Sequence, residues 1–96
     1  MKDLYIIVHE GEVKVEHNFG VTLSVRAYRE IQEIKQTHDY RNVDGDPTKI
    51  PADLPTAKEC RVHVCGSSIA VCIPQQMEAL EKAGYKPRLS RSASIF

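Results

Sequence analysis

Apolar and polar residues follow three rhythms along this chain, and each predicts a different element. Leu4-Tyr5-Ile6-Ile7-Val8 is an unbroken apolar run rich in β-branched and aromatic residues. A short run of this kind, without helical spacing, predicts a strand covered on both faces at the centre of a sheet. Glu12-Val13-Lys14-Val15-Glu16 follows the breaker Gly11 and alternates charged with apolar residues. That period of two predicts a half-buried edge strand, paired as an antiparallel hairpin with the first. From Ser24 the spacing becomes helical: Leu23, Ala27, Ile31 and Ile34 fall on one stripe, which predicts a helix over residues 24–37 with Thr22 or Ser24 as its cap.

Residues 38–58 show neither period and contain Asp44-Gly45-Asp46-Pro47, Pro51 and Pro55. They predict a loop longer than usual connections, acting as a lid, a binding loop, an oligomer arm or a mobile segment. Asp44 and Asp46 read as turn formers around Gly45 rather than as metal ligands. Cys60-Arg61-Val62-His63-Val64-Cys65 is a second strand, stopping at Gly66 before Ser67 and Ser68. A second helix carries Ile73, Met77 and Leu80 on one face, accepts Pro74 in its first turn and ends at Gly84. Tyr85 to Leu89 reads as a short last strand held near an edge by Pro87, and residues 91–96 as a polar tail.

Strands alternating with helices call for right-handed crossovers and a mainly parallel sheet. The expected fold is therefore a single small α/β domain spanning 1–96, in two or three layers, with an antiparallel edge hairpin and two main helices. Ligands in such sheets sit at the carboxyl ends of the strands, here Val8 to Gly11 and Cys65 to Ser68.

Composition narrows the classes of function. Hydrophobic residues make up 42% of the chain and charged residues 27%, as in an ordinary globular protein. Thirteen basic residues balance thirteen acidic ones, so no broad field draws the chain to nucleic acid or to an anionic membrane. No apolar stretch is long enough to span a bilayer, and the N-terminus lacks the pattern of a signal peptide. Three cysteines, an odd number lying between Cys60 and Cys72, read as reduced thiols, so the expected location is the cytoplasm. A domain this short buries a small share of its surface, which makes a homo-oligomer the expected way to complete its core.

The chemistry concentrates in Val64-Cys65-Gly66, five residues, then Cys72-Ile73, with Gly84-Tyr85 and Ser92-Ala93 beyond. This layout resembles the C-terminal half of the isochorismatase-like cysteine hydrolases, which include nicotinamidases. The correspondence runs without gaps from Val64 to Ala93, about a third of the chain. It implies a nucleophile at Cys72, a strand end at Cys65-Gly66 and substrate contacts from Cys65, Gly66, Ser67 and Ser68. The family's base, an aspartate closing the first strand, is replaced by His9, which can also accept a proton. The segment from Gly66 to Cys72 lacks the family's threonine and acidic residue, and Ser92 stands where its aspartate would be. For its lysine, Lys49 and Lys58 are available. The chain is much shorter than the family's usual domain.

Residue chemistry alone supports the same location. A thiol at a helix N-terminus meets the positive end of the helix dipole, which favours the thiolate, and free N–H groups that can hold an oxyanion. Such a cysteine can attack an amide or ester of a small molecule. A relative that keeps only the pocket, an interaction or oligomerisation protein, and a sulfur relay through Cys65 stand as alternatives, and Cys72 as a small buried hydrophobe is the plainest reading of all. Cys60, His63, Cys65 and Cys72 lack paired metal-ligand spacing. Gly66-Ser67-Ser68 lacks the lysine and glycine pattern of a nucleotide loop. The expectation is thus of no cofactor and no metal.

Overall fold

A computed structural model describes residues 1–96. The apolar run at the N-terminus is the strand β1 (Lys2–Val8), followed by helices α1 (Glu10–Asn18) and α2 (Thr22–Thr37). Then come β2 (Asp39–Val43), β3 (Cys60–Ser67), helix α3 (Cys72–Lys82) and β4 (Arg88–Ile95). The sheet has the order β2-β1-β3-β4, and every pair in it is parallel. The α/β class stands, and β1 is central as its pattern requires. There are three helices instead of two main ones, and no antiparallel hairpin.

The hairpin is replaced by α1. Alternation in Glu12–Glu16 predicts a strand only if both valines face one core, yet Val13 is buried while Val15 is 54% exposed. One inward valine per turn suits a short helix equally well. His9 tips the choice by adopting the left-handed conformation (φ 49°, ψ 53°), which lifts the chain off the sheet directly after β1. Glu10 and Glu12 in the first turn complement the helix dipole. Glu10 also accepts hydrogen bonds from Gln32 and Lys35, and Glu16 one from Ser24, tying α1 to α2.

Side chains alternate across the sheet and build two cores. Leu4, Ile6, Val8, Val62 and Val64 face one side with Ile73 and Leu80 of α3. Ile7, Cys65, Ala93 and Ile95 face the other with Val13 of α1 and Ala27, Ile31 and Ile34 of α2. The result is three layers. The accessible surface, 5645 Å², agrees with the roughly 5,500 Å² that a compact monomer of this mass exposes.

Three further expectations are corrected. Residues 39–43, placed in the long loop, form the edge strand β2; its polar sequence hides it, since only Val43 among its residues is buried. Arg41 caps that edge by donating to the Tyr40 carbonyl at 2.9 Å and pairing with Asp53. The remaining stretch, residues 44–59, is neither lid nor loose arm. It carries the chain over β1 from β2 to β3 on the α3 side, with Ile50 and Leu54 packed on the core. Gln76, fully buried, donates to the Pro47 and Lys49 carbonyls at 2.9 Å each. Finally, the polar tail is the end of β4, where Ala93, Ser94 and Ile95 are all buried. A bulge of extra residues between Leu89 and Ser94, closed by the Ser94 hydroxyl on the Ser90 carbonyl at 2.6 Å, disguises its period. No helix is long and apolar enough to cross a membrane.

Candidate functional site

The three strands on the β2 side end level with one another. Val8 pairs with Val43 on one side and with Gly66 on the other. His9, Asp44 and Ser67 therefore emerge side by side. After β1 the chain turns into α1 on one face, and after β3 it turns towards α3 on the other. Departure to opposite faces makes these strand ends the switch point of the sheet, the place where parallel sheets bind ligands.

His9 is fixed at this point by its backbone and its ring. Its N–H donates to the Val43 carbonyl at 2.8 Å, and Nε2 lies 2.8 Å from the Gly45 carbonyl. A carbonyl only accepts, so Nε2 carries the proton of the neutral ring. Nδ1 is then left as a buried lone pair without a hydrogen-bond partner, 3.8 Å from Glu12 Oε1. The other oxygen of Glu12 accepts from the buried Ser67 hydroxyl at 2.6 Å. The 3.8 Å separation of Nδ1 from Glu12 Oε1 is within ion-pairing reach of the carboxylate but too long for a hydrogen bond. His9, Gly11, Glu12 and Asp44 line an open depression at the surface.

Glu12 is absent from the sequence-based site because an edge strand would have turned it outward. The signal that could have found it is helical: with α1 starting at Glu10, Glu12 stands in its first turn above the strand ends.

The other expected residues divide between the two faces. Gly66 (φ +110°) is required by packing, since a Cβ there would lie 2.0 Å from the Val8 carbonyl oxygen. Cys65 points into the α1/α2 core with no exposed surface, and burial pushes its thiol up to about 12. Ser67 is buried against Glu12, and the Ser67–Ser68 peptide is cis. The Ser68 carbonyl accepts from the Val71 and Ile73 N–H groups, at 3.4 and 2.9 Å, which folds residues 68–73 into a tight turn. Cys72 follows that turn as the first residue of α3. It is half-buried, touching the α3-side core, and lines none of the cavities. No hydrogen bond joins it to His9. Cys60 and Cys65 lie in opposite cores, as their odd separation along one strand requires.

Comparison of the chain with protein-family models, with curated proteins and with solved structures finds no match.

Proposed function

We propose that the protein is a small cysteine-hydrolase-like protein that acts on an amide or ester of a small molecule at the carboxyl ends of β1 and β3. The observation that carries this reading is the level register of Val8 and Gly66. It sets His9 with its free Nδ1 beside the turn that leads to Cys72 at the start of α3. Cys72 is the nucleophile: His9 takes the thiol proton as the sulfur attacks the carbonyl carbon, the same proton leaves with the departing amine or alcohol as the thioester forms, and water then hydrolyses the thioester to the free acid and returns the proton to the Cys72 sulfur. Glu12 holds the protonated ring, and Ser67 holds Glu12.

Iodoacetamide followed by mass spectrometry tests the assignment. Cys72 is expected to react first, about tenfold or more ahead of Cys65, whose high thiol pKa keeps it protonated. p-Nitrophenyl acetate is expected to acylate Cys72, with the rate falling about a hundredfold in His9→Gln, as for loss of a positioned base. Reaction at Cys72 no faster than at Cys60, or acylation indifferent to His9, would sink the hydrolase reading.

A second reading, an interaction or oligomerisation protein, is favoured by one feature. Val15, Phe19, Val21 and Leu23 are all exposed around the α1–α2 corner, Phe19 by 81%. Apolar residues clustered in this way are a common mark of contact surfaces.

A further inference from the structure

The opposite end of the sheet holds a cavity of about 370 Å³ between the start of β3, the start of β4 and the end of α3. Its wall carries four cations, Lys58, Arg61, Lys86 and Arg88, and no carboxylate. In a chain with equal numbers of acidic and basic residues, this is a local excess of one sign. Arg61 is partly engaged by Asp3 at 3.7 Å. Lys58, Lys86 and Arg88 take part in none of the ion pairs of the fold.

The end of α3 does not account for these charges. Cations often gather near a helix C-terminus to neutralise its free carbonyls. Here the carbonyls of Ala79, Leu80 and Glu81 already accept from the N–H groups of Ala83, Gly84 and Tyr85, and the last-turn Lys82 pairs with Glu78 in solvent. The apolar part of the lining is formed by Met1, Ala57 and Cys60. Cys60 contributes no anion, because burial raises its thiol pKa and its sulfur lies 3.5 Å from the Thr56 carbonyl oxygen.

We infer that this cavity binds a small organic phosphomonoester. Three unpaired cations match a dianionic phosphate, and an arginine fork grips phosphate oxygens in a way that a single point charge does not. The apolar lining accommodates the organic part, and 370 Å³ lies in the range of small-molecule sites. The site lies at the amino ends of the strands, apart from His9 and Cys72, and does not depend on the hydrolase reading.

Isothermal titration with phenyl phosphate, inorganic phosphate and a single-stranded oligonucleotide tests the inference. The expected result is saturable one-to-one binding of phenyl phosphate, tighter than inorganic phosphate. Affinity should fall about tenfold or more in Lys86→Ala and again in Arg88→Ala, since each removes a charge-assisted contact. Lys14→Ala, an exposed cation on α1, should leave it unchanged. All these positions are exposed, so the variants should keep the wild-type melting temperature. Three outcomes would overturn the inference: no saturation by phenyl phosphate, equal weakening by Lys14→Ala, or preferential binding of the oligonucleotide.

Discussion

The two ends of the sheet differ in charge and in how that charge is held. At the carboxyl end stand Glu12, Glu16 and Asp44 with His9, and two of these carboxylates are tied inward, Glu12 to Ser67 and Glu16 to Ser24. At the amino end Lys58, Lys86 and Arg88 reach solvent with no partner. The chain sums to zero, but that sum hides a cavity at the amino end whose lining carries four cations and no carboxylate. Net charge describes the long-range field, and it is silent about a pocket whose partners lie tens of residues apart.

If the carboxyl end is the tightly determined one, its substitutions should cost the most. Gly66→Ala places a methyl 2.0 Å from the Val8 carbonyl oxygen at a φ of +110°. Urea unfolding should show a loss of about 3 kcal/mol or more, from overpacking and backbone strain together. A loss within 0.5 kcal/mol, roughly the scatter of surface changes, would mean that the two strands are not pressed together there. Next in size is Glu12→Ala, which leaves the buried Ser67 hydroxyl without its acceptor. About 1 to 2 kcal/mol should be lost, against no more than about 0.5 for Lys86→Ala at the other end. Equal effects at the two positions would erase the contrast.

A small, pH-dependent effect sharpens the amino end. The hydrogen bond from His63 at 3.0 Å, with Arg61 close by, holds the Asp3 carboxyl below its ordinary value of 3.8. A lowered folded-state value means that Asp3 stabilises the fold fully above that ordinary value. The contribution is lost as pH falls through the lower, folded-state value. Wild type should therefore exceed Asp3→Asn in stability near pH 6 by no more than about 1 kcal/mol, since solvent screens the pair. The gap should close in strong acid. A gap that widens on acidification would reverse the assignment.

Legibility in the sequence followed how each residue is buried. The run Leu4–Val8 was plain because both of its faces are covered, and the segment Cys60–Cys65 because buried Cys60, Val62 and Val64 alternate with the exposed Arg61 and half-buried His63. The stripe Ala27, Ile31, Ile34 was plain because one face of α2 meets the core, although Leu23, counted with it, is exposed and Ser24 is buried in its place. β2 escaped because an edge strand with one buried residue carries almost no pattern, and β4 because its bulge breaks the period of two. Around the strand ends the places of His9, after β1, and Cys72, at the start of α3, were legible, whereas that of Glu12 was not, since its position depends on α1 rising where alternation had suggested a strand.

By itself the sequence determined the α/β class, the central strand, the two principal helices and the residues with reactive side chains. These follow from local periodicity and side-chain chemistry, which a linear reading contains. Only the tertiary structure decided that all strands run parallel, that Cys65 is sealed while Cys72 stands at a helix mouth, and that four cations from two distant segments share one cavity. Those outcomes depend on which strand ends lie level and which faces the connections cover, and that is fixed when the sheet is assembled from segments far apart in the chain.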